Sequence, residues 1–442
     1  MEFAKLSEIM RSAGVVGAGG AGFPAYAKLN MAADTVILNC AECEPLLKLH
    51  RQLLAEYTEE ILMTLTEIAD TLAADSVVVA VKKVYTEAVD AVKARLRDYP
   101  KVRVAYLPEV YPSGDEVVAI YEATGRVVAP GALPVSVGCV VYNVETIYNI
   151  YRAWKEGAPV THKYVTIAGE VQNPCTLHAP LGMTFEDLVK LAGGVTHPDT
   201  VIMVGGPMMG RFSSPSEVVT KATNAVLVLP KNAYVVQKRL TPIKIDAKRA
   251  MAACCQCHMC TDLCPRHLLG HPIEPHKLMN AIASGVSTDK DAFLAAFSCS
   301  SCGLCELYSC GQDLNPRALI TSIKEELRKN GVTPPRGAAS KPVKPSRSLR
   351  QVPLSHLTAR IGLAKYEQPA PLVSVEIPAK SVKIMLSQSI GAPSVATVSI
   401  GQVICANDAV GAATPDALSV PVHTPIAGTV TEVTDRYVTV KA

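Results

Sequence analysis

The sequence predicts a multidomain protein: an N-terminal α/β domain, a small α+β module, a helical cysteine-bearing segment and an all-β C-terminal module. Three observations carry this. A chain of 442 residues calls for two to four domains, and 49% hydrophobic residues can give each a core. Strand-like apolar runs alternate with longer helical patterns only in the first 155 residues. Nine of the 14 cysteines crowd between residues 254 and 310, which sets that stretch apart.

The elements follow in order. Apolar runs at 35–38 (TVIL), 76–81 (SVVVAV) and 102–107 (VRVAYL) read as strands, with helices over 46–74 and 85–96. Strands separated by helices predict a parallel sheet. Residues 159–245 change character: YVTIAGEV is a strand, NPCT a turn and TFEDLVKLAGG a helix capped by Thr184, with Gly193 just past its end. VIMVGGPMMG and AVLVLP are further strand candidates. Residues 248–332 are helical between two cysteine groups, and TPPRGAASKPVKPSR (333–347) reads as a Pro-rich, basic linker. Residues 372–442 are rich in Val, Thr, Ser and Gly with regular turn signals, and GQVICANDAVG and SVPVHTPIAGTV form a weak repeat.

Composition excludes several classes. A formal charge of +3, one Trp and six Phe leave neither a basic field nor stacking surfaces for nucleic acid. No run of about 18 apolar residues predicts a membrane span. The start, MEFAKLSEIMRSAG, carries acidic residues and no apolar stretch of a secretory signal. The expected compartment is therefore the cytosol, where thiols stay reduced, so clustered cysteines point to metal rather than disulfides.

Cys254, Cys257, Cys260 and Cys264 follow C-x2-C-x2-C-x3-C-P, the bacterial ferredoxin spacing for [4Fe–4S] clusters. Cys255 does not fit it. Cys299, Cys302, Cys305 and Cys310 repeat the pattern with an x4 final gap and Gly311 in place of proline. In the ferredoxin crossover, Cys254, Cys257, Cys260 and Cys310 hold one cluster, and Cys264, Cys299, Cys302 and Cys305 the other. The alternative is structural zinc, whose ligands come as separated pairs rather than triplets. Cys40, Cys43, Cys139, Cys175 and Cys405 are scattered and read as small buried hydrophobes.

GVVGAGGAGFPAYAK (14–28) leaves backbone amides bare, open to a phosphate or a ring system. It follows a helical stretch, not a strand, so it is no dinucleotide fingerprint. NCAECEPLLK (39–48) follows the TVIL strand and puts Asn39, Glu42 and Glu44 at a strand's C-terminal end, where open α/β sheets bind ligands.

Together these pieces resemble a known superfamily. GAGGAGFPAYAK resembles the GRGGAGFPxGxK loop of the flavin- and NADH-binding subunit of respiratory complex I. NCAECEP is similar to NADExEP there and to NAAECEP in the RnfC protein of Rnf complexes. YPSGDE (111–116), YNVETI (142–147) and GGPMMG (205–210) are also RnfC-like. The resemblance implies a Rossmann-like flavin-binding α/β domain (1–157), a β-grasp domain of the soluble-ligand-binding (SLBB) type (158–246), and a ferredoxin-type two-cluster domain (247–332). A linker with a short helix (333–371) and a barrel-sandwich domain (372–442) follow. It further implies that Gly17, Gly19, Gly20, Ala21 and Gly22 lie against FMN, with Lys28 near its phosphate or ring. Asn39, Glu42, Gly114, Asn143 and Thr146 would complete that pocket, and Phe23, Glu44, Asp115 and Glu116 would face NADH. Ala18 and Ala41 stand where the complex I loop has arginine and aspartate, and Cys43 lies between the two glutamates.

Domain order discriminates within the superfamily. RnfC places its barrel-sandwich domain first, whereas here VPVHTPIAGTVTEV comes last. That order, RIGLAKYEQPAPL (360–372) and the x4 gap resemble the cobalamin reductases of propanediol-utilisation microcompartments. The resemblance implies transfer from NADH through FMN and two [4Fe–4S] clusters to cobalamin, taking Co(III) to Co(II) and on to Co(I). No residue is nominated as general acid or base. A cob(I)alamin adenosyltransferase and shell proteins are the implied partners, and the cytosol, inside or at a microcompartment shell, the implied location. The alternative is an RnfC-like relay that passes electrons between soluble or membrane partners without reducing cobalamin. The C-terminal module carries no lysine turn for lipoyl or biotinyl attachment, and a docking domain without a cofactor is one further alternative for it.

Overall fold

The computed structural model describes all residues except 286–287, 336–339, 374 and 376. Part of the basic linker, residues 336–339, thus lies outside the described residues.

A helix, α1 (Phe3–Ser12), precedes the glycine loop. The strands β1 (Thr35–Cys40), β2 (Ser76–Lys82), β3 (Val102–Leu107) and β5 (Cys139–Asn143) form a parallel sheet in the order β3-β2-β1-β5. β4 is a two-residue strand, Val110–Tyr111. The continuous apolar run of β2 is buried along nearly its whole length, as a strand covered on both faces must be. β1 is central: the chain leaves it on the β2 side and returns on the β5 side. The C-terminal ends of β1 and β5 therefore flank a topological switch point, with Asn39 directly opposite Asn143.

The single helix expected over 46–74 is two, α2 (Leu49–Glu56) and α3 (Thr58–Thr71). Tyr57 breaks it at φ −114°, ψ 39°, its ring stacked 4.1 Å from that of Tyr148 on α6 (Val144–Tyr151). Tertiary stacking overrides a helical sequence pattern here. α4 (Thr86–Arg95) and α5 (Glu116–Thr124) complete this layer.

The second domain is a mixed sheet. β6 (His162–Gly169) pairs antiparallel with β7 (Cys175–Pro180) and parallel with β10 (Ala225–Pro230), which carries β8 (Thr200–Val204) and β9 (Arg211–Ser213) beyond it. α7 (Phe185–Leu191) packs on it, with the Thr184 hydroxyl accepting from the Asp187 amide and Gly193 left-handed past its end. Leu372–Val373 adds a last edge to β7, so this sheet also takes residues from far along the chain.

Helix Ile243–Ala253 delivers Cys254, and helix Pro316–Lys329 closes the cysteine-bearing domain. Cys305–Ser309 forms a π-turn, a wider ring that takes up the extra residue of the x4 gap. The later part of the expected 333–371 linker is a strap rather than a free tether: Val352–Pro353 pairs with β4, and Leu357, Ile361 and Leu363 are fully buried. The C-terminal module packs a four-stranded against a three-stranded sheet around Val382, Ile384, Val410, Val430 and Val440. Among the described residues, no helix is long and apolar enough to cross a membrane.

Candidate functional site

A cavity of about 470 Å³ opens at the β1/β5 switch point. Gly17, Gly19, Ala21, Phe23 and Lys28 form one side, and Asn39, Asn143, Thr146 and Glu116 line it from the strand ends and helix starts. The glycine loop is a closed turn, with the Gly17 amide donating to the Phe23 carbonyl (2.8 Å) and the Gly22 amide to that of Gly17 (3.1 Å). The Gly19 and Ala21 amides donate to no acceptor among the described residues, which leaves donors facing the cavity. A side chain on Gly19 would sit 2.6 Å from the Asn143 amide nitrogen, so the bare backbone is what lets Asn143 approach. Asn143 caps α6 by accepting from the Thr146 amide (2.7 Å), and the Thr146 hydroxyl accepts from the Ala18 amide (3.0 Å). The loop is thus tied to the end of β5. Across the cavity the Lys28 ammonium pairs with Glu116 (2.9 Å) and donates to the Val141 carbonyl (2.8 Å).

The acidic loop divides its carboxylates. Glu42 turns away from the cavity, pairing with Arg51 (2.7 Å) and accepting the His50 amide (2.8 Å). Burial pushes its pKa up, and Arg51 and His50 more than reverse this, so it stays below the ordinary glutamate value. Glu44 reaches into the GGPMMG loop, where it accepts from the Met208 amide (2.9 Å) and fills the space a side chain on Gly206 would need. Its other oxygen is buried without a partner, and burial pushes its pKa up to about 7. Asp115 caps α5 through the Val117 amide (3.0 Å) and holds Arg266 of the cysteine domain (2.9 and 3.1 Å). Gly114 accepts from the Asn39 side chain (3.0 Å), and the Cys43 thiol lies where a Gly114 side chain would be. Gly20 and Gly22 sit on the loop's outer side: Gly22 faces Gln388 and Ser389 of the C-terminal module.

Sequence reasoning missed three contributions. Leu133, Pro134 and Val135 line the cavity mouth without any motif to mark them, and Leu133 is 70% exposed. Ile390, from the C-terminal module, lines the same cavity, and its amide donates to the Gly22 carbonyl (2.9 Å). Lys82, at the end of β2, is buried with no hydrogen-bond partner for its ammonium, which lies over the Tyr85 ring, and burial lowers its pKa.

The cysteines gather around two smaller cavities. One is lined by Cys254, Cys257, Cys260 and Cys310 together with Cys255, and the other by Cys264, Cys299, Cys302 and Cys305. Each triplet therefore borrows its fourth cysteine from the other's sequence group. The two loops repeat one backbone: Gln256 and His258 have positive φ in the first, Ser301 and Gly303 in the second. Cys254 accepts from the Gln256 amide group (3.2 Å), Cys299 from the Ser301 amide (3.3 Å) and Cys310 from the Leu314 amide (3.4 Å). Donors to thiolate sulfur are how proteins tune cluster potentials. Among the described residues no group of three or more His, Cys, Asp or Glu closes around a single metal ion. Zinc at about 2.3 Å from each sulfur would need such a closed group, whereas a four-iron body needs cysteines spread around a space.

Comparisons with known proteins follow the same order. A model described as the Nuo51 FMN-binding domain matches residues 10–152, an SLBB domain 164–212, a 4Fe-4S dicluster domain 253–315, and an RnfC barrel sandwich hybrid domain 364–442. A crystal structure of an NAD+-reducing [NiFe]-hydrogenase is similar in fold at TM-score 0.50 and 19% identity, over 77% of this chain and 64% of that one. A component of the Na+-translocating ferredoxin:NAD+ oxidoreductase complex from Acetobacterium woodii is 31% identical over 61% of this chain and 59% of its own. Cobalamin reductase PduS from Salmonella typhimurium is 39% identical over 99% of this chain and 96% of its own. Its counterpart from Citrobacter freundii is 38% identical over 98% and 96%. That likeness runs through all four domain matches in one order, and the chain belongs to the PduS cobalamin reductase family.

Proposed function

We propose that the chain is an NADH-dependent flavin/iron–sulfur reductase whose acceptor is cobalamin. One observation carries the reading: a cavity at a parallel-sheet switch point and two cysteine-lined cavities lie in one chain, with Cys43, Tyr111 and Cys302 sharing an apolar cluster between them. A bound flavin would accept hydride from NADH and release electrons singly, and each cluster would relay one at a time. NADH gives up two electrons as NAD+ and one proton leave, so one NADH converts two cob(III)alamin to two cob(II)alamin. Further single electrons take cob(II)alamin to cob(I)alamin.

The chain's own residues bind and orient. In this reading the free Gly19 and Ala21 amides donate to FMN, the Asn143–Thr146 cap holds the loop against it, and the Lys28–Glu116 pair offers a charge of each sign at the cavity wall. Phe23, Asp115 and Glu116 are proposed on the NADH side, with Asp115 acting through Arg266 rather than by contact. Cys254, Cys257, Cys260 and Cys310 would hold one cluster, and Cys264, Cys299, Cys302 and Cys305 the other. The proposal extends to a cob(I)alamin adenosyltransferase, which would consume the Co(I) product, and to microcompartment shell proteins as partners.

The test is anaerobic NADH oxidation by the reconstituted protein with hydroxocobalamin as acceptor. Cobalt reduction is expected. Normal reduction of an artificial dye without cobalt reduction would instead favour a relay between protein partners.

A further inference from the structure

Resting on the reductase reading above, we propose an order and an exit. Electrons pass first to the Cys264/Cys299/Cys302/Cys305 shell and leave through the Cys254/Cys257/Cys260/Cys310 shell. The corrinoid meets the protein at the Cys255–His258 edge.

Contacts argue the order. Asn39 lines the flavin cavity and holds Gly114, against which Cys43 rests. Cys43 packs in one apolar cluster with Tyr111, Leu46, Met208, Leu304 and Cys302. The Tyr111 hydroxyl donates to the Cys302 carbonyl (2.6 Å), and Asp115 grips Arg266, two residues after Cys264. One shell is therefore bonded directly to the flavin domain, through β4 and the cap of α5. The other is not: Cys254 and Cys310 pack in a separate small cluster with Ala250, Met279, Leu314 and Leu319.

Exposure argues the exit. Among the eight proposed ligands Cys257 alone is exposed, and Cys255 and His258 beside it are exposed too. His258 stacks on His276 with ring centroids 3.8 Å apart, giving the edge a flat aromatic wall. Both rings line the outer cavity. A broad macrocycle too large to enter the chain can approach there, where a single electron has the least protein to cross.

Two substitutions in the full chain separate the order from the acceptor. Cys257→Ser should halve bound iron while NADH still bleaches the remaining shell's signal, followed by electron paramagnetic resonance and visible absorbance. Its hydroxocobalamin reduction should fall by about tenfold or more. Cys302→Ser should leave the outer cluster present but oxidised under NADH. If Cys302→Ser still shows the outer cluster reduced at the wild-type rate, the order is overturned, whatever the acceptor. If Cys257→Ser keeps wild-type cobalamin reduction, the exit is overturned. Should either variant fail to fold, His258→Glu, which leaves all eight proposed ligands in place, should raise KM for hydroxocobalamin severalfold. An unchanged KM rejects the edge. A wild-type protein that bleaches both clusters but reduces no cobalamin fails the reductase reading instead.

Discussion

Glu42 and Glu44 stand two residues apart on one loop yet occupy opposite electrostatic settings. Arg51 compensates the buried Glu42, whereas Glu44 has one oxygen on the Met208 amide and the other unpartnered. With its folded pKa raised from 4.5 to about 7, Glu44 binds more protons folded than unfolded between those values. Its contribution is fully favourable below pH 4.5 and is lost as pH rises through 7. Glu44→Gln should therefore raise the melting temperature at pH 8 and leave it nearly unchanged at pH 5, as followed by thermal unfolding at both pH values. The sequence motif made both glutamates equal site candidates. What separates them is Arg51 and the GGPMMG loop, partners remote in the chain, which no local spacing reports. The cysteines were far more legible, because a cluster's spacing is imposed by its own geometry and repeats wherever it occurs.

At the scale of elements, the second cysteine group shows how one inserted residue is absorbed. The x4 gap is taken up by the π-turn Cys305–Ser309, so Cys310 still lines the cavity of the first triplet. Deleting Tyr308, the least buried residue of 306–309, would restore the C-x3-C gap and the α-turn by which the first group passes Cys264 across. Iron analysis should then show both cysteine sites still filled, whereas Cys310→Ser should deplete the Cys254/Cys257/Cys260 site. Cys255→Ala should keep all its iron, since no second thiol loop repeats that position: Ser300 occupies it. Three of the four strands of the parallel sheet and the Thr184 cap were readable from apolar runs and capping chemistry, whereas β5 was not. The α2/α3 break and the strap at 352–366 were not, because both depend on partners remote in the chain.

Across the whole molecule, the C-terminal module is part of the flavin cavity rather than an appendage to it. Ile390 lines the mouth, and its amide is bonded to Gly22. Lys221 of the second domain locks the junction, donating to the Gly14 carbonyl (2.8 Å) and the Pro421 carbonyl (2.9 Å) with no carboxylate near. Ile390→Asp should weaken flavin retention by about tenfold in a fluorescence titration, since it places a charge against an apolar wall. Burial lowers the Lys221 pKa from 10.5 to about 7, so the unfolded chain binds more protons between those values. Stability should rise with pH across that window and be lowest below pH 7. Lys221→Met should flatten the rise, as melting temperatures at pH 7 and 9 would show. Domain identities were legible from motifs, but this junction was not, because it joins residues about four hundred positions apart. It also imposes a schedule on biosynthesis. The loop at 14–22 is made well before 388–421, the surface that closes it. Stable cofactor loading would thus await synthesis of that surface, and flavin capture would act as a proofreading step that leaves chains truncated before it empty.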